Sequence, residues 1–408
     1  MIRISRLIIL MLILTALWGC VSNENNPIDR LIDQTSAIDD NNISNQLVDL
    51  LTRERINLLG EIHNIQETQE LYGKLVPGLH TAGVRVILLE APVYMGPVWN
   101  SYVRGETHSL PWEDHPIYHD FFAGLIENVA KFNHTLRESG LAEDQIKLYS
   151  YDGELFEDKA YGWLVRFLRR DAGLDNRFFQ RPKDNLILLE SDDNSGLSSE
   201  MKEDFLWLTK QKISFDSQSK GKYNQAWNFK DKDQINNYLT SQATVRESFM
   251  EDNIRYYLDK YPTDKFLIIT GALHAQRNAQ IKPSGIDQNP LCQRLLTIGY
   301  EINSVMLTHY RIKTMETTPL GVHPIVRDNH MTTSAGELFE ALVNTFGETW
   351  LMIDLKPLAN QELMINTSLA GDIDADSFHI DLPKVFDGLV IIPEGRQNNT
   401  NFLNIFFP

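Results

Sequence analysis

Several short, almost unbroken apolar runs constrain this chain more than anything else in it. They are Ile56–Leu59, Val84–Leu89, Ile146–Tyr151, Phe266–Thr270, Ile302–Leu307, Trp350–Leu355 and Leu389–Ile392, and most run into Gly, Asp or Glu. A strand that is apolar at successive positions is buried on both faces, the condition of strands inside a parallel sheet. Helix-like stretches alternate with the runs: Ile65 to Ala82 (closed by Gly83), Asp120–Glu138, Asp158–Arg170, Ser241–Lys260, Leu291–Thr297 and Ser334–Val343. The pattern predicts an α/β fold with a mostly parallel central sheet flanked by helices.

Between residues 94 and 240 the alternation loosens. Ile146–Tyr151 is the one clear strand there, Leu186–Glu190 is ambiguous, and Trp99, Trp112, Trp163, Trp207 and Trp227 are scattered through polar, helical sequence. This reads as a large helical insertion, either covering a cleft or packing as a peripheral layer.

The amino terminus has Arg3 and Arg6 before an apolar run from Leu7 to Trp18, too short to span a bilayer and patterned like a secretory signal. The run ends in Leu17-Trp18-Gly19-Cys20, which resembles a lipobox; the alternative is an ordinary signal peptide with an incidental cysteine. The expected organisation is therefore a signal over 1–19, lipidation at Cys20, a tether over 20–45, one α/β domain over 46–398 and a tail over 399–408. That places the protein in the bacterial cell envelope, outside the cytoplasm. The other cysteine, Cys292, leaves no intramolecular disulfide once Cys20 is lipidated. Removing Arg3 and Arg6 with the signal leaves 36 of the 38 basic residues against 55 acidic ones, a net charge of −19. Such a balance argues against nucleic acid or anionic lipid as partner, since both need basic patches. The expected partners are a small molecule or haem, with the membrane reached through the anchor.

The ends of the apolar runs carry the chemistry. The first closes in Leu59-Gly60-Glu61-Ile62-His63, where Glu61 and His63 are two apart and share one side in extended backbone. The second closes on Glu90, the third on Asp152-Gly153-Glu154, and the fourth leads into Gly271-Ala272-Leu273-His274. Parallel strands place their carboxyl ends on one edge, so four strands bring Glu61, His63, Glu90, Asp152 and His274 to a common rim. Arg246 lies on the apolar stripe of its helix with Phe249, Met250, Ile254 and Tyr257. A guanidinium turned inward needs a carboxylate, for which Glu61 or Glu90 is the natural partner, unless it snorkels to solvent.

Each of these features alone is more often structural than catalytic. As a set, Leu-Leu-Gly-Glu61-Ile-His63-Asn, Leu-Leu-Glu90, the spacing of Arg246, Met250 and Asn253, and Gly271-Ala-Leu-His274-Ala-Gln-Arg277 resemble the superfamily of erythromycin esterases, ChaN-like haem-binding lipoproteins and Tiki/TraB proteins. The resemblance covers about residues 45 to 392, the insertion least. Gly271 stands where erythromycin esterases carry the first histidine of a His-Asn-x-His run; the Gly-x-x-His form and the anchor are closer to the ChaN-like proteins. Leu351–Leu355 and Phe386–Leu389 are closer to the esterases.

Three readings follow. In one, Glu61, His63, Glu90, Arg246 and His274 form a metal-free hydrolase site for a small ester, lactone or amide. His63 is the base held by Glu61 or Glu90, and Arg246 and His274 meet the oxyanion. In the second, which the Tiki resemblance implies, Glu61, His63, Glu90 and His274 hold a divalent metal that supplies hydroxide. In the third the rim binds haem or iron without catalysis. Asp152, Arg277 and Tyr94 are candidates for substrate contact; Tyr94, Trp99 and Tyr102 either line the cleft or simply pack. His115 and His119, four apart, are separated by the helix-breaking Pro116 and read as loop residues. Asp372, Asp374 and Asp376 have calcium-loop spacing but lack the glycine that an EF-hand needs. No Gly-x-Ser-x-Gly elbow or phosphate-cradling glycine loop is present.

Overall fold

A computed structural model describes residues 27–38, 43–63, 65–107, 110, 116–153, 161–162, 164–165, 182–190, 199–219, 232–280, 289–318, 321–328, 333–367 and 378–396. Cys20 and its flanks, Glu154, His108, Trp112, His115, Trp163, Trp227, the aspartates at 372–376 and residues 399–408 lie outside them. The fold is α/β, with a mixed, mostly parallel sheet flanked by helices.

The strands are β1 (Thr35–Ile38), β2 (Ile56–Glu61), β3 (Val84–Pro92), β4 (Lys147–Asp152), β5 (Lys265–Gly271), β6 (Ile302–Thr318), β7 (Gly321–Asp328), β8 (Trp350–Asp354), β9 (Met364–Thr367), β10 (Phe378–Asp381) and β11 (Gly388–Arg396). Nine of them form one sheet in the order β1-β8-β11-β6-β2-β5-β3-β4, with β7 also paired to β6; β9 and β10 form a separate ribbon. From β11 through β6, β2, β5 and β3 to β4 every neighbour is parallel, while β1–β8, β8–β11 and β6–β7 are antiparallel.

The continuous apolar runs follow from burial on both faces. Leu59, Leu89 and Ile269 face one cluster, shared with Leu71, Leu75, Ile126 and Val129 from helices α3 (Gln66–Thr81) and α5 (Pro116–Glu138). Their neighbours Leu58, Leu88 and Ile268 face the other, against Met250, Ile254 and Tyr257 of α8 (Lys232–Lys260) and Leu291 and Leu295 of α9 (Leu291–Thr297). Gly60 is required where β2 leaves the sheet, because a Cβ there would lie 2.6 Å from the Cβ of Ala275.

Two readings of the sequence, the tether and Pro116, are corrected, and one ambiguous run is resolved. The tether does not extend to residue 45: Pro27–Asp33 forms helix α1, and Thr35–Ile38 pairs with β8 at the sheet edge. The cause is the apolar spacing of Ile28, Leu31 and Ile32, with Leu31 and Ile38 buried, which the Asn- and Asp-rich surroundings mask. The ambiguous run at Leu186–Glu190 is helical, within α6 (Pro182–Glu190). Pro116 does not interrupt a helix but starts α5, the position where its missing N–H costs nothing.

Candidate functional site

The register brings the rim together. Glu61 is paired with Gly271, Leu89 with Ile269 and Pro92 with Asp152, so the β2, β5, β3 and β4 ends lie at one level. Four of the five hydrolase candidates, Glu61, His63, Glu90 and His274, meet there, and α8 delivers the fifth, Arg246.

Arg246 ties the rim together. Its Nε donates to Asp152 Oδ1 at 3.0 Å, and its Nη2 to Asp152 Oδ2 at 2.6 Å and to Glu90 Oε1 at 2.5 Å. Glu61, named from the sequence as a possible partner, is not one of these. Asp152 is Arg246's main counter-ion, which leaves its carboxylate engaged within the protein. Burial opposes the guanidinium charge, but Asp152 and Glu90 hold its pKa well above the ordinary value. Glu90 is saturated with donors: Oε2 accepts from Thr270 Oγ1 at 2.9 Å and from the Gly271 N–H at 2.5 Å, while Oε1 faces Arg246 and, at 3.4 Å, His274 Nε2. Burial would raise its pKa, yet His274 and Arg246 bring it well below the usual carboxylate range.

The two histidines occupy unlike surroundings. His63 follows β2, with its side chain 31 % exposed. Its Nδ1 lies 3.2 Å from Glu61 Oε1, and the other oxygen of Glu61 accepts from the Tyr72 hydroxyl of α3. This arrangement fixes the tautomer with hydrogen on Nδ1 and leaves the Nε2 lone pair 3.7 Å from Glu90 Oε2, beyond hydrogen-bond reach. Phe121 of α5 stacks over the ring at 5.8 Å between centroids. Burial disfavours the His63 charge, but Glu61 and Glu90 outweigh it and set the pKa above its ordinary 6.5.

His274 is buried in the turn after β5. Glu247 Oε1 lies 2.5 Å from its Nδ1, and Arg246 Nη1 approaches its Nε2 to 3.2 Å. That approach would suit a neutral ring accepting from the guanidinium. The flanking carboxylates decide otherwise: burial opposes the charge, and Glu247 and Glu90 push the pKa up to about 10. The ring is an imidazolium at neutral pH. Gly271 leaves the space between the rings, since a Cβ there would come within 3.0 Å of His63 Nε2 and 3.5 Å of His274 Cδ2.

The sequence reading missed Glu247 and Tyr72. Glu247 had a signal: it precedes Met250 by three residues and Ile254 by seven, so it lies on the buried stripe of α8. Tyr72 is one apolar residue among many on α3 and had none. Two expected substrate contacts are elsewhere. Arg277 donates to Asp387 at 2.5 Å and to the Ile302 carbonyl at 3.0 Å, bracing the turn after β5 against the segment before β11. Tyr94 is fully buried, edge-on to Tyr161 at 5.5 Å, and Trp99 is buried against Phe122; both belong to the core because the segment after β3 turns inward beneath α5.

The four residues proposed as metal ligands do not fit a divalent cation. Both oxygens of Glu90 and both of Glu61 already accept hydrogen bonds, His274 turns Nδ1 to Glu247 and Nε2 to Arg246, and the Arg246 cation stands among them. Among the described residues no cluster of three or more His, Cys, Asp or Glu is arranged to hold a metal. His63 Nε2 is the one rim nitrogen suited to ligate haem iron.

No protein-family model and no curated protein matches the sequence. Solved structures do match in fold. A Bacillus cereus protein superposes with a TM-score of 0.61 at 16 % identity, covering 93 % of this chain and 100 % of its own. A succinoglycan biosynthesis protein gives 0.59 at 14 %, covering 92 % and 98 %. A mutant erythromycin esterase in its open conformation gives 0.55 at 14 %, covering 89 % and 96 %. These three superpositions show a shared α/β fold over 89–93 % of the chain.

Proposed function

We propose that the protein is a hydrolase of a small ester, lactone or amide. The observation that carries this reading is the contrast at the rim: one partly exposed histidine with a free Nε2, beside two cations that carboxylates keep charged. His63 Nε2 takes a proton from water as the oxygen attacks the carbonyl, and Glu61 stabilises the resulting imidazolium through Nδ1–H. Arg246 and His274 face the oxyanion of the tetrahedral intermediate. On collapse, His63 returns its proton to the leaving alkoxide or amine. The esterase among the structural neighbours supports the reading at the level of fold.

The test is turnover of a panel of carboxylic esters, lactones and amides, with haemin titrated in parallel. Hydrolysis that is lost in His63→Ala and insensitive to chelators is the expected result. A saturable Soret shift with no turnover of any substrate would instead establish the haem-binding alternative.

The hydrolase is further proposed to be exported and lipid-anchored through Cys20. Supporting this are the basic n-region, the apolar run to Trp18 and the Gly19-Cys20 junction. Among the described residues no helix is long and apolar enough to cross a membrane. Incorporation of labelled fatty acid that disappears in Cys20→Ala checks the anchor.

A further inference from the structure

We propose that Glu247 is a positioning residue: its carboxylate on His274 Nδ1 holds His274 as a permanent cation, leaving His63 as the one site histidine that exchanges protons in turnover. The assignment of roles rests on the hydrolase reading; the hold on His274 does not.

The geometry is specific. Glu247 is 1 % exposed, and its Oε1 is 2.5 Å from Nδ1, while its Oε2 has no hydrogen-bond partner among the described residues. A buried carboxylate with one partner concentrates its interaction there, and removing the partner's charge would leave it uncompensated. Charged groups face His274 from every side. Glu90 comes from β3, Arg246 and Glu247 from α8 and His63 from the end of β2, while Asp152 of β4 acts through Arg246. The Cys292 N–H of α9 fixes the His274 backbone by donating to its carbonyl at 3.0 Å. Glu90 is shared with Arg246, Thr270 and Gly271, whereas the hydrogen bond of Glu247 goes to His274, with the neighbouring Arg246 feeling its charge as well. The raised pKa of His274, about 10, has Glu247 as its largest upward cause.

A purely structural Glu247 would anchor α8 to the turn after β5 without deciding which histidine titrates. The discriminating readout is therefore titration of individual histidine ring protons by NMR in the full chain, with His274 identified by the signal lost in His274→Asn. In wild type the His274 signal should stay in the imidazolium position to beyond pH 9. In Glu247→Gln its midpoint should fall by about two units or more, while that of His63 moves by less than about half a unit. Glu247→Asp, which keeps the charge, should restore part of the shift; thermal melts of both variants confirm that the fold is retained. The pH–rate profile should change with it, from a plateau above the His63 midpoint to a bell with a falling limb near neutrality.

An unmoved His274 signal in folded Glu247→Gln, or a wild-type signal that titrates near 6.5, overturns the proposal even where ester turnover is strong. A moved signal in a protein that turns over nothing upholds the hold on His274 and sinks the hydrolase reading instead.

Discussion

Arg246 and Arg277 both follow motifs that sequence alone assigns to one site, and the structure separates them by what their guanidinium groups grip. Arg246 meets two strand-terminal carboxylates, Asp152 and Glu90, and keeps Nη1 beside His274 at the rim. Arg277 meets Asp387 and a backbone carbonyl, and so joins two connecting segments. The lesson concerns location relative to the parallel strands. A cation that α8 holds at their carboxyl ends lies where a substrate carbonyl can reach it; a cation in the segment beyond β5, past His274, becomes a brace.

Several expected outcomes would break or sharpen this contrast. The largest belongs to Arg246→Ala, which leaves Glu90 and Asp152 facing each other without their shared cation. It should abolish hydrolysis and cost about 3–5 kcal/mol in urea unfolding, the usual consequence of removing one partner of a buried pair. Arg246→Lys keeps the charge but loses the planar fork, and kcat should fall by about 10²–10³ with a smaller stability loss.

Arg277→Ala should cost about 1–2 kcal/mol and leave kcat/KM within about twofold, because the pair is partly exposed and lies away from the reacting atoms. A large loss of kcat in that variant would contradict the division between the two arginines. The half-buried pair Arg53–Asp354, near the sheet edge, sets the scale below it, and Arg53→Ala should change stability by about 1 kcal/mol or less.

Stability should also depend on pH with a definite sign. The folded pKa of His274 is raised, so the native state retains a proton that the unfolded chain releases above its ordinary value. The resulting stabilisation is complete below about pH 6.5 and is lost as pH rises toward about 10. Glu90 acts oppositely: its folded pKa is depressed, so its contribution is present above about pH 4.5 and is lost on acidification. Urea midpoints measured across pH should therefore decline on both sides of neutrality. Glu247→Gln should flatten the alkaline decline.

Most of the strands were legible because a doubly buried strand is apolar at nearly every position, whereas their order in the sheet and the strands β1, β7, β9 and β10 were not. The rim followed in turn, since carboxylates and histidines at the ends of such runs have few places to go. What stayed hidden depends on docking. Nothing in the sequence says that α3 lays Tyr72 on Glu61, and the buried stripe of α8, which does carry Arg246 and Glu247, does not say that Glu247 meets His274. Asp152 was seen as a site residue but not as the main partner of Arg246, because pairing between β4 and α8 is set by the crossover rather than by spacing. Tyr94, a candidate substrate contact, and Trp99, open between cleft lining and packing, both follow Glu90 closely; the chain turns inward after β3 and places them in the core. The helix at 27–33 and its strand were concealed by polar composition, although their apolar spacing was regular.

The central claim is that His63 is the base of a hydrolytic site, and kcat/KM against pH for wild type and His63→Ala tests it most directly. The wild-type rate should rise with pH through a midpoint above 6.5, reflecting loss of the His63 proton, and His63→Ala should lose about 10²–10⁴ in rate together with that limb while unfolding at a nearly unchanged urea concentration. Hydrolysis that survives the substitution with its pH dependence intact would contradict the account.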